Sequence, residues 1–336
     1  MTNRTGITRR TTLKSLGAIS LASVSAGTFL GALPKSADAA LQTVRLGYQF
    51  HLWGAPAVVA IRKGYFKDEG LTIDPRKFAS GKAARDAMIA GSIDIGTVGI
   101  TPFIVGATKG NMAALAVVCY AGKTALVMAK AGAGIKTVSD LRGKKIASKV
   151  GSTLDNVFKT RIAPAAGLTR KDYTIVNATF SDHVSALASG SVDAFCGLEP
   201  FCSIAEAEKL AVPLTDYYKY DLIPNMLAVQ RPYMEKYPET CVAFLRAWLR
   251  AVDLFKTQPD APAEIMLSVY RERGYTIADE IIRSALRRLI VNPDFIPELP
   301  DYIRTQAGAL IKLGRLDRIP DPNKILRGEF LAKARG

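Results

Sequence analysis

Val44-Arg45-Leu46-Gly47-Tyr48, with the helical pattern from Pro56 to Lys63 behind it, decides the fold class. The first part is an apolar run of strand length. Pro56 suits the first turn of a helix, because its missing N–H has no partner to lose there. The same succession returns over 71–90 and again over 93–109. Repeated strand, crossover helix and strand predict an α/β fold with mostly parallel strands.

A second series of strands and helices begins with the strand pattern at 125–129, followed by a glycine-rich break at 132–134. Its further elements are strands at 145–147, 174–176 and 192–195 and helices near 153–165 and 182–189. A strand at 225–229 and a long amphipathic helix at 238–256 come next. This order predicts a bilobal α/β protein with mixed, mostly parallel sheets: 40–128 and 225–336 form lobe 1, 129–224 forms lobe 2, and two hinge crossings lie near 125–132 and 222–225.

Three loops that lead from predicted strands into predicted helices pair glycine with a hydroxyl residue. They are Ser80-Gly81, Gly99-Ile100-Thr101 and Gly151-Ser152-Thr153. Ligands of open α/β sheets bind beyond the carboxyl ends of the strands, where free N–H groups and the helix dipole favour an oxyanion. A single Ser or Thr at such a place is more often an ordinary N-cap. Three such loops around one cleft favour a ligand.

The first loop carries Gln49, His51 and Trp53. The Trp53 ring offers a flat apolar surface, and Gln49 and His51 offer polar groups beside it. Trp53 either packs on a ligand or belongs to the core of its lobe.

Two acidic residues in other loops also have two interpretations. Glu199 follows a predicted strand and either accepts a hydrogen bond from a ligand or caps the helix that starts at Pro200. Asp182 is a candidate ligand contact or a helix cap beside a surface histidine, His183.

Signatures of common enzymes are missing from the sequence, which has no Gly-x-Ser-x-Gly, no His-Glu-x-x-His and no Gly-x-Gly-x-x-Gly after the first strand. Two histidines exclude a histidine-rich metal site, and the four cysteines lack metal-ligand spacing. Cys196 and Cys202 either form a disulfide in an oxidising compartment or are small buried hydrophobes. We therefore expect no catalytic residue, no metal and no cofactor.

The amino-terminal residues have the pattern of an export signal. Arg9-Arg10 precedes a weakly apolar run over 16–33 and then Ala37-Asp38-Ala39, which predicts a twin-arginine signal over 1–39, cleavage near Ala39 and a periplasmic protein. An uncleaved membrane anchor is the alternative. Residues 1–39 hold five basic residues and one acid, so their removal changes the net charge from +15 to +11. A basic surface suits small anions, and nucleic-acid-binding motifs are missing.

Several motifs of this sequence resemble those of a known protein family. They are Gly47-Tyr48-Gln49, Lys63-Gly64-Tyr65-Phe66, Ser80-Gly81 after Phe78, the run from Ala87 to Gly96, Asp140-Leu141-Arg142-Gly143-Lys144 and the run from Gly190 to Ala194. With them the chain, from about Thr43 to Leu331, resembles periplasmic substrate-binding proteins of ABC transporters, in the family for nitrate, aliphatic sulfonates, taurine and thiamine precursors.

The resemblance implies a type II periplasmic-binding-protein fold and solute capture without catalysis. The solute is a small organic or inorganic anion, such as a sulfonate or nitrate. The contacts it implies are Ser80, Gly81 and Thr101 from one lobe and Gly151, Ser152 and Thr153 from the other, with Trp53 and Tyr120 packing the remainder. Asn225 lies where taurine-type binders place an acid, which argues against a taurine-like zwitterion.

Hinge closure would then present the monomeric, solute-bound protein to a membrane permease and its ATPase subunit, with no nucleic acid involved. Two other functions stay open. One is a periplasmic sensor that binds a solute in order to signal. The other is an enzyme related to thiamine pyrimidine synthases, which use a histidine and a cysteine cluster.

Overall fold

The computed structural model describes residues 43–336. The predicted export signal over 1–39 lies outside the described residues. Among residues 43–336, none of the helices combines the length and apolar character needed to cross a bilayer.

In the part of the chain that the structure describes, ten strands form two five-stranded sheets. Their bounds are β1 Val44–Gln49, β2 Ile73–Phe78, β3 Ile95–Gly99, β4 Met112–Tyr120, β5 Ala125–Lys130, β6 Lys145–Ser148, β7 Thr174–Asn177, β8 Ala194–Leu198, β9 Ala211–Asp216 and β10 Pro224–Gln230. The first sheet has the order β2-β1-β3-β10-β4 and the second β7-β6-β8-β5-β9. The α/β fold with two mixed sheets is therefore confirmed.

Each sheet has two parallel and two antiparallel pairings rather than mostly parallel ones. β1 and β6 each pair in parallel with two neighbours, whereas β10 and β5 each pair antiparallel with two. The antiparallel strands are the ones that the chain reaches directly after it crosses from one sheet to the other.

The chain passes from the first sheet to the second over 121–124 and returns over 217–223. The predicted lobe boundary at 128/129 falls inside β5, and the whole of β5 belongs to the second sheet.

Fifteen α-helices of residues 43–336 surround the sheets. Their bounds are α1 Ala55–Arg62, α2 Tyr65–Asp68, α3 Gly81–Ile89, α4 Ile100–Thr108, α5 Thr153–Val157, α6 Ala163–Ala165, α7 His183–Ala188, α8 Phe201–Ala207, α9 Arg231–Lys236, α10 Pro238–Thr257, α11 Asp260–Arg271, α12 Asp279–Arg288, α13 Leu299–Lys312, α14 Pro322–Ile325 and α15 Gly328–Arg335. A π-helical turn, Phe158–Ile162, joins α5 to α6, so the helix predicted over 153–165 is not a continuous α-helix.

Apolar faces of the helices cover both faces of the first sheet. The amphipathic helix α10 packs against α1, α2 and α15 on one side. On the other side α3, α4 and α13 pack on the sheet, where Leu299 and Ile303 of α13 are fully buried. The segments that follow β1 and β3 contact the second sheet's loops through His51 and Thr101, and both are predicted site residues.

Candidate functional site

The starts of α3, α4 and α5 meet at one place, which we call the helix-start cluster (80–81, 99–101 and 151–153). A Cβ at Gly81 would lie 2.6 Å from the Gly99 amide nitrogen, and a Cβ at Gly99 would lie 2.8 Å from Thr153 Oγ1. Only glycine permits such close approach of backbone to backbone and to a facing side chain. The three glycine-hydroxyl loops predicted to share a cleft therefore do come together, two from the first sheet and one from the second.

Thr153 links the two sheets directly. The Thr101 amide donates to Thr153 Oγ1 at 3.2 Å, and both side chains are at most 2% exposed. Thr101 Oγ1 is buried and has no hydrogen-bond partner. A polar atom in that condition, at the start of a helix, is available to a ligand.

Two other hydroxyls of the cluster have ordinary capping roles. Ser80 Oγ accepts from the Ala83 amide at 3.3 Å, and Ser152 Oγ accepts from the Asp155 amide at 3.2 Å. Each cap satisfies one amide of its first turn, and the first amides of a helix have no acceptor within the helix. N–H groups at the starts of α3 and α5 therefore remain for an anion beside the capped ones.

Gly151 has a positive φ of 85°, which favours glycine, and its amide donates to Asp155 Oδ2 at 2.9 Å. A Cβ at Gly151 would lie 3.2 Å from Lys82 Cδ. The side chain of Lys82 thus crosses from α3 to the second sheet's loop, and its ammonium is 3.2 Å from Asp86 Oδ2. This places a partly exposed cation at the rim of the helix-start cluster.

Asn225 is hydrogen-bonded to both Gln49 and Trp53 of the first loop. Asn225 Nδ2 donates to Gln49 Oε1 at 2.8 Å and to the Trp53 carbonyl at 3.2 Å, and Trp53 Nε1 donates to Thr124 Oγ1 at 3.0 Å. Trp53 is 2% exposed and lies in the hydrophobic core, as the core interpretation expected. Asn225 holds this loop in place.

His51 is buried at the same loop. Its Nδ1 accepts from the Trp53 amide at 3.4 Å, and its Nε2 has no partner. Its ring centroid is 5.4 Å from that of Trp53 and 6.0 Å from that of Phe180, which comes from the loop after β7 in the second sheet. Burial lowers the pKa of His51 to about 3, so the ring is neutral at neutral pH.

Tyr120 and Glu199 do not join the helix-start cluster. Tyr120 lies on the face of β4 that packs with α13, and its hydroxyl donates to the Asp294 carbonyl at 2.9 Å. Glu199 is 1% exposed and accepts from Arg288 Nη2 at 2.7 Å and from the Ser203 amide at 3.1 Å, within the first turn of α8. Its side chain therefore has the capping role that the sequence left open.

Asp182 and His183 also differ from expectation. The Asp182 carboxylate is exposed, accepts from Thr179 Oγ1 at 2.6 Å within its own loop, and makes no capping hydrogen bond to α7. His183, expected at the surface, is fully buried, with its ring centroid 5.6 Å from that of Phe180. Burial lowers the pKa of His183 to about 4. The ring packs inward because Phe180 and Phe195 contact it.

All four cysteines are buried free thiols, Cys196 and Cys202 included. Burial raises the pKa of each thiol, to about 12 for Cys196 and Cys241. The thiols are therefore protonated at neutral pH and have the character of small hydrophobes.

Sequence reasoning missed a group of buried charges directly behind the start of α5. Asp155, fully buried, pairs with Lys159 and, at 3.3 Å, with Arg315 Nη2. Lys159 follows Asp155 at a helical spacing of four, which is a local signal for this pair. Arg315 lies 160 residues further along the chain, and nothing in the local sequence marks its approach.

A second cluster of polar side chains connects α13 with α5 and with the return crossing between the sheets. Gln306 on α13 accepts from Asn156 Nδ2 at 3.1 Å and donates to Asp221 Oδ2 at 2.8 Å. Asp221 also accepts from the Tyr302 hydroxyl at 2.7 Å and pairs with Arg161 at 3.0 Å. These contacts join α5 and the return crossing over 217–223 to a helix that packs on the first sheet.

Known proteins with similar sequence and structure agree with this description. A putative aliphatic sulfonates-binding protein of Bacillus subtilis is 26% identical over 305 residues, 88% of this chain and 88% of that protein. The alkanesulfonate-binding protein SsuA from Xanthomonas axonopodis pv. citri, bound to MOPS, superposes with a TM-score of 0.75 at 19% identity over 85% of this chain and 98% of that one. The periplasmic nitrate-binding protein NrtA from Synechocystis gives a TM-score of 0.69 at 18% identity over 88% of each chain.

The two structural likenesses show a shared fold, which confirms the periplasmic-binding-protein architecture implied by the sequence motifs. The NMT1-like family model matches residues 37–268, more than half of the sequence. The chain belongs to the NMT1-like family.

Proposed function

We propose that this protein is the extracytoplasmic solute-binding component of an ABC importer. It captures a small anion between the two sheets and delivers it to a membrane permease with its ATPase subunit. The helix-start cluster carries this proposal, because three helix amino termini and the unpartnered Thr101 hydroxyl point to an oxyanion. Membership of the NMT1-like family and the binding proteins among its relatives support it.

The contact between Thr101 and Thr153 gives the binding step a defined form. Thr153 Oγ1 accepts the Thr101 amide, so a solute reaches this amide only when the two loops separate. Once the anion is bound, the loops close on it from both sheets. The solute then stabilises the pairing of the sheets that the permease recognises. The periplasm, entered by way of the signal over 1–39, is the compartment in which this capture takes place.

The test is binding of an anion panel to the purified protein, followed by substitution of the cluster. The panel contains MOPS, benzenesulfonate, taurine, nitrate and succinate, each scored by the shift in thermal unfolding. A ligand at 100 times its Kd adds about 2.7 kcal/mol of stability. We expect a selective shift, and a tenfold or greater loss of affinity in Thr101→Val and Ser80→Ala.

The matched control is Asp321→Ala, which removes the N-cap of α14, a helix that packs against β4 and α13. We expect this variant to lose stability and keep wild-type affinity. Unchanged affinity in both cluster variants, or a panel without any shift, would contradict the proposal.

A further inference from the structure

A hydrogen bond from the Trp53 amide fixes the tautomer of the His51 ring. The Trp53 amide donates to Nδ1 at 3.4 Å, so Nδ1 presents its lone pair. A neutral imidazole carries one proton, which must then lie on Nε2. Nε2–H is consequently a donor, and it has no acceptor although His51 is only 1% exposed. Buried donors without a partner are rare in folded proteins, which points to a missing acceptor.

The donor lies at the junction of the two sheets. His51 belongs to the loop after β1, and its ring meets Phe180 from the loop after β7 at 6.0 Å between centroids. Gln49, at the end of β1, brings the start of the His51 loop close to the helix-start cluster. Its Nε2 would be 3.2 Å from a Cβ at Gly81. The helix-start cluster and the loop that carries His51 thus both lie where loops of the two sheets meet.

Aromatic carbon surrounds this donor. The rings of Phe50, Trp53 and Phe180 all lie within 6.4 Å of the His51 ring, centroid to centroid. An inorganic oxyanion loses hydration on every side and needs polar partners on every side. An organic acid presents oxygen atoms at one end and carbon at the other, which matches one N–H donor among aromatic rings.

We propose that His51 donates a hydrogen bond from Nε2 to the solute, and that the solute is an organic sulfonate or carboxylate rather than an inorganic oxyanion. This rests on the proposed function and names the class of its solute. His51 acts as a neutral donor, held in one tautomer by the Trp53 amide, while the aromatic rings contact the carbon skeleton.

Two variants separate the donor from the capping role of His51. His51→Phe keeps a ring and loses both the cap of the Trp53 amide and the donor. His51→Ser keeps a capping oxygen and loses the ring and the donor. Both lack Nε2–H, so calorimetric titration with benzenesulfonate and MOPS should show at least tenfold weaker binding for both. The control is His183→Phe, which changes the other buried histidine beside Phe180 and should bind within threefold of wild type.

Wild-type protein should also bind benzenesulfonate or MOPS at least tenfold more tightly than nitrate. Binding within threefold of wild type in either His51 variant, an equal loss in His183→Phe, or a preference for nitrate would overturn the inference while the proposed function stands. No binding of any anion by the wild type would overturn both. Because the chain has two histidines, ¹⁵N imidazole spectra of the wild type give an independent reading: an Nδ1–H tautomer at His51 would overturn the inference without any variant.

Discussion

At the scale of single residues, Glu199 shows how burial decides between a ligand contact and a structural role. Both of its carboxylate oxygens are engaged, by Arg288 and Ser203 Oγ on Oε1 and by the Ser203 amide on Oε2. We expect Glu199→Gln to cost about 1–3 kcal/mol of unfolding free energy, because Arg288 loses its partner. Solute affinity should not change, since the carboxylate caps α8. Urea unfolding and calorimetric titration measure the two effects.

The control for this prediction is Glu206→Gln on the same helix. Glu206 is exposed, and its substitution should change stability by less than about 0.5 kcal/mol. If Glu199→Gln weakened solute binding tenfold at unchanged stability, the ligand interpretation of Glu199 would be correct after all.

The sequence could indicate a site residue only where neighbouring residues in the chain carry the pattern. Gly81, Gly99 and Gly151 stand beside hydroxyl residues at helix starts, and that pattern is visible within three positions. Arg315 could not be indicated, because its contact with Asp155 depends on how α13 packs across the first sheet. Tyr120 differs from the prediction for a related reason: its hydroxyl donates to the carbonyl of Asp294, which lies 174 residues further along the chain, and its ring packs among residues of α4 and α13.

At the scale of elements, the sequence patterns predicted most of the strands and about half of the helices of residues 43–336, and uniform burial concealed others. β4 is buried along all nine residues, so it shows no alternation of polar and apolar positions. β9 is an edge strand that contains Pro213, a residue that argues against a strand in sequence alone. The π-helical turn at 158–162 was not predicted; Lys159 and Arg161 within it pair with the buried acids Asp155 and Asp221.

A prediction at this scale concerns α13 and α5. Gln306→Leu should destabilise the protein by about 1–3 kcal/mol, because Asn156 and Asp221 each lose a buried hydrogen-bond partner. It should also weaken the link between the two sides, seen as a larger radius of gyration of the solute-free protein in small-angle scattering. Thr305→Ala, an exposed change on the same helix, is the control and should alter neither quantity. A destabilised Gln306→Leu variant with unchanged dimensions would show that this contact does not hold the two sides together.

At the scale of the whole molecule, the parts of the site come from segments that are far apart in sequence. The first sheet supplies the loop with His51 and two helix starts, and the second supplies Thr153 and Phe180. The chain reaches the second sheet and returns through only two short crossings. An arrangement in which two bodies share a site and are joined by short crossings suits capture of a solute by closure. The sequence predicted the two-part organisation, whereas the contacts across the junction required the structure.

The dependence of stability on pH is a further property of the whole molecule, because both histidines of the chain are buried. Burial lowers the pKa to about 3 for His51 and about 4 for His183, whereas the unfolded chain titrates near 6.5. Between those values the unfolded state binds more protons, so stability is fully present above about pH 6.5 and falls as the pH decreases. The slope that each histidine contributes approaches about 1.4 kcal/mol per pH unit at pH values well below 6.5 and above the folded pKa. Asp221 acts in the opposite sense, because burial raises its pKa.

His183→Phe therefore gives the sharpest test of this pH dependence. The variant removes one of two titrating rings, so the loss of unfolding free energy between pH 6.5 and 5 should be about 1 kcal/mol per pH unit smaller than in the wild type. His51→Phe should reduce the slope by a similar amount, and for each variant the difference from the wild type should become small above about pH 7.5. Urea unfolding at half-unit pH steps measures the slopes. Equal slopes in wild type and variants would mean that the rings become protonated in the folded protein, and that the loops around Phe180 admit water.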